Sequence, residues 1–219
     1  MKHSRIFLAA LALCASSVHA QNCLGHRALN NAPVSLSVNY RFVQNAHGPE
    51  ARVLFGKPLL FGGLNVGFLS TEDNKRAFDV GAQAGSSLRA GSVLVVCPIV
   101  SVNRQTSLNE EGAFPGITET LLGGSIGMQK TVSPSVTLIP YAGVGYLRST
   151  FKEAYNPASG VTTAQLTRTG AEIFGGVGVQ FSRKFLARAS IRHRDDYGDL
   201  STMFTLGVTV APTRKIRSK

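Results

Sequence analysis

His193 and Asp195 stand two residues apart in the segment Ile191-Arg192-His193-Arg194-Asp195-Asp196, and Asp199 follows closely. An imidazole beside carboxylates suits general acid–base hydrolysis, because the acid orients the ring while the ring moves the proton. Activating a water would need further carboxylates across the site, and Glu72 and Asp73 are the candidates of the right type. The bland alternative, a solvated turn whose acids are balanced by Arg192 and Arg194, is the one the sequence favours. A serine two places from the histidine is missing, since those positions hold Ile191 and Asp195. His26, His47 and His193 have no metal-ligand spacing. Gly175-Gly176-Val177-Gly178 superficially suggests a phosphate-binding loop but sits inside a strand-like run, where glycine serves curvature. No enzyme, cofactor or metal site is expected, and His193 and Asp195 are kept as the catalytic candidates.

The cysteines offer the other chemistry. Cys14 lies in a segment with a basic start (Lys2, Arg5), an apolar run over 6–15 and Val18-His19-Ala20, the anatomy of a secretory signal peptide over 1–20 cut after Ala20. A lipoprotein would put a small residue before Cys14, where Leu13 stands. Export leads to compartments that permit disulfides. Cys23 and Cys97 are therefore a candidate bridge, and two unpaired thiols are an equal alternative. The 23 basic residues less Lys2 and Arg5 leave 21 against 12 acidic ones, a formal +9 over the remaining 199 residues. On an exported chain that surplus points to anionic surfaces such as lipopolysaccharide rather than to nucleic acid. No run of 18 apolar residues follows the signal segment, so no spanning helix is expected. A membrane barrel stays open, because its strands give a far weaker signal.

The elements that must carry these residues are strands. Val34, Leu36, Val38, Tyr40 and Phe42 alternate with Ser35, Ser37, Asn39 and Arg41, and the same period of two recurs to the final hairpin over 184–211. Ten strands are predicted, over 34–43, 51–56, 59–69, 77–86, 92–104, 118–130, 136–151, 164–181 and the two arms of that hairpin. Pro98 predicts a bulge or a broken ladder within its strand. The connections alternate between short (Lys57-Pro58, 87–91, 131–135, 182–184) and long (44–50, 70–76, 105–117, 152–163, 195–199). One rim of turns and one of loops is the asymmetry of an up-and-down outer-membrane barrel.

One face of these strands is aliphatic; the other carries Arg41, Asp79, Gln83, Glu172, Arg188 and Arg192 among many glycines. So many charges along strand middles suit a mutually satisfied network inside a narrow barrel. Phe42, Phe68, Phe78, Tyr146 and Phe204 fall on the aliphatic face toward the loop rim, and Phe55, Phe181 and Phe185 toward the turn rim. Two aromatic girdles around an aliphatic belt are what a bilayer-facing surface requires.

With the signal peptide, the stretches VCPIVSV (96–102), TLIPYAGVGY (137–146), GGVGVQF (175–181) and FTLGVTVA (204–211) resemble the small outer-membrane β-barrel, porin-like superfamily of Gram-negative bacteria. The resemblance covers 34–211, leaving a polar leader at 21–33 and a basic tail at 212–219. It implies an antiparallel transmembrane barrel of ten strands, with eight as the alternative if the barrel begins near Leu59. It also implies outer-membrane lipid, lipopolysaccharide and the barrel-assembly machinery as partners. The last strand departs from the superfamily in ending at Ala211 and a basic tail instead of an aromatic residue. Side chains are expected to fill most of so narrow a lumen, giving a structural or surface-interaction role with no cofactor. A narrow porin-like channel, a rim protease like the outer-membrane protease barrels, and a secreted soluble lipocalin-like binder are the alternatives.

Overall fold

Period-two alternation becomes strands whose neighbours are hairpin partners. The computed structural model describes residue 23 and residues 34–56, 59–71, 75–90, 94–108, 116–153, 164–182, 184–195 and 202–211. The signal segment, the leader apart from Cys23, Lys57-Pro58, Glu72, Asp73, Asp196, Asp199 and the basic tail lie outside the described residues.

The strands are β1 (Val34–Val43), β2 (Ala46–Gly56), β3 (Leu60–Thr71), β4 (Arg76–Ser86), β5 (Leu88–Ala90), β6 (Leu94–Ser107), β7 (Gly116–Met128), β8 (Lys130–Ser133), β9 (Val136–Glu153), β10 (Ala164–Gln180), β11 (Phe185–Arg194) and β12 (Thr202–Val210). Ten of them form a closed antiparallel ring, β1-β2-β3-β4-β6-β7-β9-β10-β11-β12, and β12 pairs back to β1 with Phe42 opposite Phe204. The short β5 and β8 pair with β6 and β9 at the turn rim. The eight-stranded alternative is overturned, because β1 and β2 are members of the ring and β1 closes it.

The first connection is a correction. Residues 44–50 are not a long loop: β1 and β2 are joined through Gln44 and Asn45 alone, and β2 already begins at Ala46. Gly48-Pro49 suggests a break, yet both pair with β1, Gly48 with Arg41 and Pro49 with Tyr40. The interruption falls on the other side, where the β2–β3 ladder skips from His47 opposite Ser70 to Glu50 opposite Gly67. There the backbones close in, and a Cβ on Gly48 would run into the carbonyl oxygen of Phe68. Gly48→Ala is therefore expected to lower stability by about 1–3 kcal/mol, the usual range for overpacking. The measurement is urea unfolding in detergent micelles, and an unchanged midpoint would contradict the close approach.

At Pro98 the ladder breaks on one side. Pro98 faces Gly124 in the unbroken β6–β7 register, whereas the β4–β6 ladder ends at Gly85 opposite Ile99 and β5 resumes at Leu88 opposite Val96. A residue without an N–H is tolerated at such a gap.

The faces run opposite to those of a soluble barrel. Leu36, Val38, Leu64, Leu122, Val144 and Ile173 are exposed on the outside, while Asn39, Arg41, Glu50, Asp79, Glu172 and Arg188 are buried within. All eight girdle aromatics point outward, Phe78 half-buried and the others exposed. Phe68 meets Phe78 as a tilted ring pair with centroids 5.2 Å apart, and Phe181 meets Phe185 likewise at 6.1 Å. Tyr40 and His47 extend the upper girdle, with the Tyr40 hydroxyl 2.5 Å from His47 Nδ1.

Candidate functional site: the lumen

The inward residues of β1, β2 and β4 meet in one charged cluster. Arg41 of β1 reaches across β2 and β3 to Asp79 of β4, donating from Nη1 to Oδ1 at 3.1 Å and from Nη2 to Oδ2. Between them on β3 sits Gly67, where a Cβ would fall 2.8 Å from Asp79 Oδ2 and against the guanidinium. Glycine at that place makes the bidentate pair possible. Glu50 binds the rest of the cluster: it accepts from Asn39 Nδ2 at 2.8 Å and Arg52 Nη2 at 3.0 Å, and lies 3.7 Å from Arg41 Nη1. Arg188 of β11 donates to Asn39 Oδ1 at 3.1 Å, which ties the closing hairpin into the same network.

A second cluster is centred on Glu172 of β10, whose side chain is 0% exposed. Arg192 Nε lies 3.2 Å from its Oε1, and Arg194 Nε donates to Oε2 at 2.9 Å. Arg194 also donates through Nη1 to Glu119 of β7 at 2.7 Å. Buried charges persist only when paired in this way. Of the six residues expected in a polar network, Arg41 and Asp79 bond to each other, Glu172 meets Arg192, and Arg188 joins through Asn39. Gln83 faces the same lumen, but its Nε2 is buried with no acceptor among the described residues.

Glu50, Arg52, Glu119 and Arg194 are four members of these clusters that the expected set does not contain. Glu50 falls in the stretch 44–50 expected as a polar loop, although the run Ala46, Gly48, Glu50, Arg52, Leu54 carries the inward parity. Arg194 and Glu119 lie at strand ends, where alternation gives the weakest signal.

The turn-side half of the lumen is apolar. Phe61, Val95, Ile99 and Tyr141 pack there around Cys23 and Cys97, and the same buried cluster continues upward through Leu121, Leu147 and Phe174. Cys23 and Cys97 form a disulfide, and the Ser125 hydroxyl donates to the Cys23 carbonyl at 2.9 Å. Cys23, 0% exposed, is thus held inside the barrel wall rather than beneath it. Above this packing a cavity of about 600 Å³ extends toward the loop rim, with Val43, Asn45 and Lys75 among its lining residues. The expectation of a lumen largely filled by side chains therefore needs amendment for this half. The upper wall carries short inward residues such as Ser101, Ser190 and Thr205, which leave the space open.

Among the described residues His193 and Asp195 bond to other partners than each other. His193 Nδ1 lies 2.9 Å from the Thr202 hydroxyl, and Asp195 Oδ1 accepts from the backbone N–H of Ala171 at 2.6 Å. His193 is on an outward parity of β11, whereas Arg192 and Arg194 beside it point in.

No protein-family model matches the chain, and no curated protein matches it. Among solved structures it is similar to a bacterial polysaccharide outer membrane secretin, with 12% identity, a TM-score of 0.43, and coverage of 77% of this chain and 57% of the secretin. The chain thus spans little more than half of that protein's length. It is also similar to the KdgM porin, with 10% identity, a TM-score of 0.39 and coverage of 82% and 99%. A third is Ail, the attachment invasion locus protein of Yersinia pestis, with 16% identity, a TM-score of 0.37 and coverage of 81% and 96%. The chain's own residues define it as a closed ten-stranded antiparallel barrel with an aliphatic and aromatic exterior, a charged upper lumen and an apolar, disulfide-pinned lower one.

Proposed function

We propose that this protein is an outer-membrane β-barrel, exported by its signal peptide, that is sealed toward the periplasm and serves a structural or surface-interaction role. The observation that carries the reading is the packed lower lumen, where Phe61, Val95, Ile99 and Tyr141 close around the Cys23–Cys97 bridge. Ions crossing a barrel need a continuous wet path, and an apolar constriction of this kind excludes one. The exposed aliphatic belt with its aromatic rows supports membrane residence, since a surface so apolar is stable only against lipid or a partner.

Arg104 and Arg148 face outward near the loop rim, on the strands either side of β7, opposite Thr118 and Thr120. Two strand spacings and a two-residue offset separate their Cα atoms, about 12 Å. Lipopolysaccharide phosphates are the outer-leaflet groups that would pair with guanidinium side chains at this level. The barrel-assembly machinery is the proposed route of insertion, although β12 is followed by Ala211 where an aromatic residue is usual.

Planar-bilayer recording of the refolded protein tests the central claim. Electrical silence is expected, in contrast to the discrete steps of a porin. Reproducible conductance steps that survive repurification would refute the seal. Membrane fractionation with heat-modifiable gel mobility checks the location, and recovery in the soluble fraction without detergent would contradict it.

A further inference from the structure

The cavity above the seal has two unlike walls. From β11 round to β2 it is lined by Arg41, Arg52, Arg188 and Arg192 with Glu50 among them, and from β6 round to β10 by Ile99, Leu121, Leu147 and Phe174, with Glu119 and Glu172 on the same arc and Tyr141 at the apolar end. This division follows from the strands: β6, β7 and β9 place aliphatic residues at inward positions that β1, β2 and β11 give to arginine.

We infer that the cavity is a binding site for a small amphipathic organic anion, a carboxylate or sulfonate on an aromatic or branched apolar body. Three observations converge on it. A space of about 600 Å³ lies within the range of pockets that enclose drug-sized ligands, which pair apolar walls with a few placed polar groups. The lining has more unmatched donors than acceptors: Arg41 Nε, Arg52 Nε and Gln83 Nε2 are buried with no acceptor among the described residues, against Glu172 Oε1 as the one lining acceptor among them without a hydrogen bond. An incoming molecule that brings oxygen acceptors answers that imbalance, and one that brings donors does not.

Arg192 supplies the contact point. It is the most open of the paired lumen arginines, with 34% of its side chain exposed against 8% for Arg41 and 14% for Arg52. Its ion pair with Glu172 uses Nε, and among the described residues no carboxylate meets its terminal nitrogens. A guanidinium held by Nε presents its terminal edge, the one that grips a carboxylate by two parallel bonds. Phe174, directly beside Arg192 in the β10–β11 ladder, and Leu121 of β7 line the same cavity and would take the apolar body. A purely inorganic anion would leave that wall unused, and a neutral ligand would leave the arginine unused.

The test uses the full chain in nanodiscs of zwitterionic lipid, titrated calorimetrically with 2-naphthoate, with its neutral analogue 2-naphthamide, and with sulfate. Empty nanodiscs give the partition background. Saturable one-site binding of naphthoate is expected, at least about tenfold tighter than the amide, as a charge-assisted pair requires. Arg192→Gln should weaken naphthoate by a similar factor and move the amide less than twofold. Ser190→Trp, which fills the cavity from β11 between Arg188 and Arg192 and leaves every charged residue in place, should abolish both and keeps the test valid should Arg192→Gln misfold. Equal binding of naphthoate and amide, naphthoate affinity unchanged in Arg192→Gln, persistence in Ser190→Trp, or sulfate binding as tightly as naphthoate would each overturn the inference. A barrel that binds none of the three is still electrically silent, so failure here is distinct from failure of the sealed-barrel reading.

Discussion

Asp79→Ala should destabilise the folded barrel by about 3–5 kcal/mol, the cost of stranding a buried charge whose partner has been removed. Arg41 and Asp79 leave only 8% and 1% of their side chains exposed, so little water is available to re-solvate the guanidinium. Glu50, at 3.7 Å from Arg41, is already shared with Arg52 and Asn39 and can take over only part of the role. Urea unfolding followed by gel mobility would report the loss. The double variant Arg41→Leu with Asp79→Ala should recover much of it, because neither charge then needs a partner. Equal stability of parent and single variant would mean that the lumen is wet enough to screen the pair.

The second large effect concerns the outside. Leu64 is 55% exposed in the middle of the aliphatic belt, two residues along β3 from Gly62, the partner of Phe55, and four from Phe68. Leu64→Arg should reduce stability in lipid vesicles by about 2–4 kcal/mol, as arginine does at the midplane of a membrane barrel. The same change at a position touching water would stay within about 0.5 kcal/mol. A negligible effect in vesicles would remove the bilayer from the account and with it the outer-membrane assignment.

Much of this architecture was legible from alternation alone. Val34 to Val43 shows a strict period of two, and its strand emerges with those bounds, Arg41 inside and Phe42 outside. The girdle aromatics could be assigned a face because each sits in a run long enough to fix its parity. Residues 44–50 misled because glycine and proline usually punctuate a chain, and the ladder gap that tolerates them depends on where β3 lies. The divided lumen was hidden for a different reason. Phe61, Leu147 and Phe174 share parity with the polar residues of their strands, and a rule of wet inside against greasy outside cannot foresee an apolar interior arc. The cavity is equally invisible in sequence, since it is the space that Ser101, Ser190 and Thr205 leave and only the closed ring encloses it.

That β1 is bonded on one side to β2 and on the other to β12 has a bearing on how the chain is made. The earliest strand to be synthesised must wait for the latest before its second row of amides is satisfied, so the slowest contact also spans the greatest length of chain. Any fragment released before residue 202 would be an open sheet with two raw margins, each ready to recruit another copy. An uncapped β1 is thus the chemical signature that separates an incomplete barrel from a closed one.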